Sequence, residues 1–291
     1  MGKVKGNVIA LYTQKGGVAK TTSTIAFANI LSLLGKDVLI VDLDSQGNCS
    51  TVFRVDNEED EGGLYKMICL DQPTENLIVK SEVAFVDLIP AGYRRIDAAD
   101  YLTCKKHDPN VLPFEWIGVL KKKLNEIESR YDYIFIDCSP SEDSLSECAL
   151  AAATDVISPV VSDKFSHGGI RWIYNKIQNV RERYNPDLNF VGTLMVKVSQ
   201  RGKSFKRFHK CYIEDLGEDA IWQPIRTDQE LPDCNDDEIP MFNIMRRSRA
   251  KGDYIKAACE IGLIKMKDAE RLLSRFAVKG EEKFEYMKGG E

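Results

Sequence analysis

Residues Gln14-Lys15-Gly16-Gly17-Val18-Ala19-Lys20-Thr21-Thr22 follow an apolar run, Asn7-Val8-Ile9-Ala10-Leu11-Tyr12, and lead straight into an apolar-periodic segment over 23–34. A strand, a glycine loop and a helix in that order aim backbone N–H groups and a helix N-terminus at a phosphate chain. In the P-loop mechanism Lys20 is the point charge on the β- and γ-phosphates, and the Thr21 hydroxyl binds Mg²⁺. Gly16, Gly17 and the backbone of Val18, Ala19, Lys20, Thr21 and Thr22 supply the N–H donors. The usual pattern G-x-x-x-x-G-K-[ST] would place glycine at positions 14 and 19, where this chain has Gln14 and Ala19, and a second lysine, Lys15, precedes the glycine pair. The loop is therefore a deviant one, K-G-G-x-x-K-[ST]. Ala19 is expected at negative φ, where its Cβ costs little; a left-handed residue there would carry a penalty of roughly 1–2 kcal/mol.

Downstream, short apolar runs alternate with helical patterns. Lys36-Asp37-Val38-Leu39-Ile40-Val41 reads as a strand buried in a parallel sheet, and it ends in the polar loop Asp42-Leu43-Asp44-Ser45-Gln46-Gly47-Asn48. Further strands are predicted over 84–90, 131–137, 156–160 and 190–196. Helices are predicted over 113–130, 144–153, 168–184, 204–215, 248–261 and 267–276, and a solvated acidic loop over 56–63. The alternation indicates βαβ units: an α/β fold with a mostly parallel twisted sheet and helices on both faces. With 291 residues, 43% of them hydrophobic, one domain over 1–278 suffices, and the charged, glycine-ended tail over 279–291 is expected to fray. Asp137 ends the run Tyr131-Asp132-Tyr133-Ile134-Phe135-Ile136, the position of a Walker B carboxylate that holds metal-bound water.

These residues resemble the ParA/MinD-type deviant Walker A ATPases, and the resemblance spans roughly residues 7–262, closer in the first half. It implies that Lys15 reaches across a dimer to the partner's nucleotide, that Asp44 is the switch I carboxylate positioning the attacking water, and that Asp42 lies beside the metal shell. Asp42-Leu43-Asp44-Ser45-Gln46-Gly47-Asn48 is similar to the D-x-D-P-Q-G-N of DNA-partition ParA proteins, with Ser45 in place of proline; MinD-type proteins carry D-x-D-x-G-x-R-N. Cys138-Ser139-Pro140-Ser141 resembles the family's T-P-P-S switch II. Pro224-Ile225-Arg226 resembles its I-P-R segment, with Pro224 a candidate adenine contact, and Ser248-Arg249-Ala250-Lys251-Gly252-Asp253-Tyr254 resembles its S-x-G-A-x-D-Y region. What the resemblance implies is an ATPase using ATP and Mg²⁺, an ATP-dependent homodimer that binds duplex DNA nonspecifically, and release on hydrolysis stimulated by a ParB-like centromere-binding adaptor.

Net charge is −5, yet nonspecific DNA binding needs a basic patch and not a basic protein. Two runs are candidates for backbone contact: Arg201, Lys203, Lys206, Arg207 and Lys210, and Arg246, Arg247 and Lys251. Solvated helix faces are the alternative for both. Phe205 and Phe208 read as packing residues, and the three histidines as structural or surface groups.

Other classes leave weaker traces. A MinD-type membrane-surface ATPase needs a basic amphipathic C-terminal helix, whereas Leu272-Leu273-Ser274-Arg275-Phe276 is followed by Glu281, Glu282 and Glu285. A redox role would need paired cysteines; the eight cysteines are scattered singly, as for free thiols in a reducing compartment. No signal peptide opens the sequence and no apolar run approaches the roughly 20 residues of a membrane span, so a cytoplasmic protein is expected, nucleoid-associated when ATP-bound. With the P-loop strand starting by Asn7, no helix-turn-helix precedes it and no operator-specific repression is expected.

Overall fold

The computed structural model describes residues 3–44, 46–54, 62–161, 166–198 (166–170 by backbone only), 216–217, 220–221, 223–228 and 239–283. The acidic loop over 56–61, the helix expected over 204–215 with its five basic residues Arg201, Lys203, Lys206, Arg207 and Lys210, the His167 side chain, and the chain from 284 onward lie outside them.

Apolar runs become the sheet. β1 (Val8–Leu11), β2 (Val38–Asp42), β4 (Val86–Ile89), β5 (Tyr133–Asp137), β6 (Asp155–Val161) and β7 (Asn189–Val196) are parallel, joined at the edges by the two-residue strands β3 (Val79–Lys80) and β8 (Ala220–Ile221), in the order β3-β4-β2-β5-β1-β6-β7-β8. Among the described strands only β3 runs antiparallel, against β4. Buried on both faces, the parallel strands carry the near-continuous apolar runs such burial requires. β1 lies between β5 and β6, so the loops after β1, β2 and β5 converge at one carboxyl edge, where open α/β sheets bind ligands.

One face is covered by α1 (Lys20–Ser32), α9 (Arg249–Glu260) and α10 (Met266–Phe276), with Phe27, Tyr254 and Phe276 in their core. The other is covered by α3 (Gly63–Ile68), α4 (Arg95–His107), α5 (Pro113–Ile117), α6 (Val119–Asn125), α7 (Ser144–Ala152) and α8 (Ser166–Arg183), around Leu102, Trp116, Leu145 and Ile177. A short α2 (Asn48–Val52) follows the polar loop after β2.

Four expectations change. The helix predicted over 113–130 is broken at Gly118 into α5 and α6, with a final 3₁₀ turn at Glu128–Arg130. A Cβ at Gly118 would sit 2.7 Å from the Phe114 carbonyl oxygen, so only glycine fits the break. α4 arises where no helical pattern is legible in the sequence, because its buried stripe is Arg95, Ala98, Ala99 and Leu102, with a single large apolar residue. Within the described start of the tail, residues 279–283, two carboxylates are tied to the body: Glu281 accepts from Arg226 Nη1 at 3.1 Å and Nη2 at 2.5 Å, and Glu282 pairs with Arg247 at 3.2 Å.

Ala19 is the fourth. It has φ 56° and ψ 35°, left-handed, and it caps α1 with no side-chain hydrogen bond. Together with Gly17 at φ 72° it curls the loop so that successive N–H groups face one concavity, the geometry of an anion nest. Holding a Cβ there stores roughly 1–2 kcal/mol. Ala19→Gly should therefore leave nucleotide affinity intact and shift unfolding free energy by less than about 1 kcal/mol, because relieved strain offsets the added unfolded-chain entropy. Ala19→Val, a β-branched residue forced to positive φ, should lower both stability and ATP affinity, as read by denaturant titration and a fluorescent nucleotide.

Candidate nucleotide site

The P-loop stands open toward the sheet's carboxyl edge. A Cβ built on Gly16 or Gly17 meets nothing within 4 Å, and α1 carries no acidic residue in its first turn, so neither bulk nor negative charge opposes a phosphate there. Lys20 is 6% exposed, and its Nζ donates to the Lys15 carbonyl oxygen at 3.2 Å, which holds the ammonium inside the loop. Burial lowers the Lys20 pKa and the Asp137 carboxylate partly restores it. Lys15 itself is exposed. The two lysines thus occupy different surroundings within one loop.

Behind the loop, parallel register sets Asp42 of β2 beside Asp137 of β5. Both are fully buried. Burial, and then the neighbouring Asp137 charge, push the Asp42 carboxyl well above the usual carboxylate range. Burial likewise raises Asp137 to about 6, against the pull of the Thr21 hydroxyl, the Cys49 thiol and Lys20. Asp137 Oδ1 accepts from Thr24 Oγ1 at 3.2 Å and Oδ2 from Cys49 Sγ at 3.4 Å. Asp42 Oδ1 accepts from the Asp44 N–H at 2.9 Å, while its Oδ2 has no hydrogen-bond partner among the described residues. Two adjacent buried carboxylates, one of them with an oxygen that has no hydrogen-bond partner, fit a divalent cation, which would let both ionise. No cluster of three or more His, Cys, Asp or Glu occurs among the described residues, so a cation here would complete its oxygen shell from Thr21, phosphate and water.

Asp44 follows on the loop, half-buried, and its Oδ1 accepts from the Gln46 N–H at 3.1 Å. That is an Asx turn, which presents the carboxylate at the end of β2. Asp42, Asp44, Asp137, Lys20 and Thr21 therefore gather at one edge.

Pro224 is buried in the segment after β8, which runs beside the end of β7 through the Ile225 N–H to the Met195 carbonyl oxygen at 2.8 Å. The same strand end supplies a contact the sequence did not signal: Lys197, at φ 55°, donates from Nζ to the Gly17 carbonyl oxygen at 2.7 Å. Thr24 and Cys49, bonded to Asp137, and Arg95 of α4, bonded to the Leu43 carbonyl oxygen beside Asp44, were equally unmarked; none belongs to a spacing pattern.

The second basic run divides. Arg246 and Arg247 are exposed, but Lys251 is 0% exposed, with Nζ donating to the Ile244 carbonyl oxygen at 2.8 Å and to that of Arg246 at 2.7 Å. This corrects the expectation that Lys251 contacts DNA: its ammonium satisfies the carbonyls of the turn before α9. Arg247 donates to the carbonyl oxygens of Ser274 at 2.5 Å and Ala277 at 2.9 Å, closing the end of α10. The S-x-G-A-x-D-Y-like region is likewise supporting structure, with Asp253 holding Arg226 at 2.7 Å and Tyr254 Oη bonded to Ser23 Oγ at 3.0 Å.

Comparison with known proteins agrees with this geometry. Residues 6–190 match the family described as an AAA domain. The chain is 32% identical over 197 residues to the sporulation initiation inhibitor protein Soj of Bacillus subtilis, covering 67% of this chain and 74% of Soj. It is 31% identical over 256 residues to the chromosome partitioning protein ParA of Caulobacter vibrioides, covering 87% and 93%. Among solved structures, cobyrinic acid a,c-diamide synthase from Mycobacterium smegmatis with bound ADP and magnesium superposes with a TM-score of 0.69 at 25% identity, covering 80% of this chain and 93% of that one. On the sheet order, the K-G-G-x-x-K-T loop and these relatives, the chain belongs to the ParA-type P-loop ATPases.

Proposed function

We propose that the chain is a DNA-partition ATPase: ATP and Mg²⁺ close a homodimer, the dimer binds duplex DNA without sequence readout, and a ParB-like adaptor stimulates hydrolysis and release. The observation that carries this reading is the division of labour between two lysines of one loop. Lys20 is enclosed where its own phosphate chain would lie, and Lys15 remains exposed, suited to a second subunit's γ-phosphate. A lysine that senses the γ-phosphate across an interface gives ATP a differential affinity for the dimer that ADP lacks, which is what a nucleotide-timed switch requires.

In hydrolysis the backbone N–H groups from Gly16 to Thr22 bind the phosphates, and Lys20 neutralises them. Thr21 and Asp137, with Asp42 beside them, would hold the metal. Mg²⁺ held there would supply positive charge against the charge developing on the transferred group. Asp44 orients the attacking water. Basal turnover is expected to be slow, with the adaptor completing the site.

A membrane-surface reading finds less support. The apolar side of α10, Ala269, Leu272, Leu273 and Phe276, is buried against the protein's own core, and no helix among the described residues is long and apolar enough to cross a membrane.

Asp44→Ala should keep ATP binding and the ATP dimer while phosphate release falls by about 10²-fold or more. Normal turnover in that variant would remove Asp44 from the mechanism. Lys20→Ala should lose ATP binding at the first step, whereas Lys15→Ala should bind nucleotide and fail to dimerise; sedimentation showing an intact ATP dimer for Lys15→Ala would overturn the trans assignment.

DNA affinity should fall with salt at a log–log slope of roughly −0.9 per phosphate neutralised, in ATP but not ADP. Replacing Arg201, Lys203, Lys206 and Arg207 together should flatten that slope, and replacing Arg246 should flatten it less. Lys251→Ala should instead lower the melting temperature, because it removes a buried ammonium that bonds the Ile244 and Arg246 carbonyls. If the slope is the same in every variant, the named contacts are wrong.

A further inference from the structure

Arg95 opens α4 with its side chain only 7% exposed. A guanidinium taken out of water this far is tolerated when its donors are used, and all of those at Arg95 that can be followed end in two loops. Nε donates to the Leu43 carbonyl oxygen at 2.7 Å. Nη2 donates to Ser139 Oγ at 2.7 Å and Ser141 Oγ at 3.2 Å, and lies 2.5 Å from Asp143 Oδ2.

Leu43 immediately precedes Asp44. Its N–H donates to the Asp137 carbonyl oxygen at 3.0 Å, so the backbone of Leu43 is gripped on both sides, by β5 through nitrogen and by Arg95 through oxygen. Ser139 and Ser141 lie on the loop that leaves Asp137. Asp143 ends that loop and caps α7, accepting from the Ser146 N–H at 2.9 Å. Burial pushes the Asp143 carboxyl up, but Arg95, the Ser146 N–H and the Ser141 hydroxyl more than offset it and hold the group below its ordinary value. The pair is thus ionised, and its cation comes from a helix that belongs to neither loop.

We propose that Arg95 is a positioning residue for ATP hydrolysis, its planar fork locking the Leu43–Asp44 backbone and the Ser139–Ser141 loop into one relative geometry so that the two loops move as a unit. This rests on the assignment of Asp44 to the attacking water. Lysine cannot replace the fork: a single ammonium can stay beside Asp143 but cannot also span to the Leu43 carbonyl.

The test compares Arg95→Lys with wild type in ATP turnover, ATP affinity and thermal melting, with Asp44→Ala and Ser139→Ala/Ser141→Ala run alongside. Arg95→Lys should lose about tenfold or more in kcat, with KM and ATP affinity within about threefold and melting close to wild type. The serine pair, which removes two acceptors from Arg95 and the Ser141 hydroxyl's bond to Asp143 Oδ2, leaves the Leu43 and Asp143 contacts of Arg95 in place and should lose kcat in the same direction by less. A lowered melting temperature with kcat per folded molecule unchanged would make Arg95 purely structural and overturn the proposal, as would wild-type turnover in Arg95→Lys. Should Arg95→Lys fail to fold, an unchanged kcat in the serine pair overturns it. Wild-type turnover in Asp44→Ala would be a different failure, removing Asp44 from hydrolysis while the Arg95 measurement is still decided on kcat.

Discussion

Parallel register between β2 and β5 brings Asp42 and Asp137 side by side at the sheet's carboxyl edge, fully buried, and the rest of the site is organised around the cost of that placement. Two adjacent carboxyls out of water cannot both hold charge without a cation or donors close by. Thr21, Thr24 and Cys49 donate to Asp137, the Asp44 N–H donates to Asp42, and Lys20 stands in the loop above them. One oxygen, Asp42 Oδ2, is left over. A strand slipped by one residue would turn its carboxylate to the opposite face of the sheet, so the register that pairs β2 with β5 also fixes the chemistry.

Support for this edge comes from the face of α1, α9 and α10. Tyr254 bonds Ser23 in the first turns of the P-loop helix, and Asn29 on the same helix accepts from the Phe242 N–H at 3.0 Å. The helix N-terminus that would carry phosphate is therefore fastened along its length to elements more than two hundred residues later in the chain. Such long-range pinning suits a loop that holds a left-handed alanine, because strain at Ala19 persists only where surrounding structure over-determines it.

What could be read from the sequence follows from which physical signals are periodic. Strands of unbroken Val, Ile and Leu, the P-loop between β1 and α1, and carboxylates at strand ends are all patterns, and the six longer parallel strands, β1, β2, β4, β5, β6 and β7, fall where those patterns put them. α4 left no such trace because small alanines line its buried side and an arginine, not an apolar residue, fills its first buried position. Gly118 looked like one tolerated glycine within an amphipathic helix; the 2.7 Å approach of the Phe114 carbonyl oxygen that makes it a break exists only in three dimensions. The sign of φ at Ala19 is likewise a property of the assembled loop. Lys20, Thr21, Asp42, Asp44 and Asp137, marked by motif or by resemblance, lie at one edge of the sheet, whereas Arg95, Lys197, Thr24 and Cys49 reach that edge through contacts spanning many residues.

Charge shows the same division most sharply. A run of basic residues looks alike in sequence whether it faces solvent or carbonyls, and in this protein many cations are spent internally: Lys123 on the carbonyls of Asp71 and Gln72, Lys251 on the turn before α9, Arg95 on two loops, Arg226 on Asp253 and Glu281, Arg247 on the end of α10. For a chain of net charge −5, removing these groups from the count leaves less positive surface than composition suggests. The tail carboxylates deepen the effect, since Glu281 lies 3.6 Å from Arg249 as well as bonding Arg226. Any nonspecific grip on a polyanion would therefore find less to draw on around α9 than the basic run there suggests, because Lys251 is buried on carbonyls and Arg247 is bonded to the end of α10.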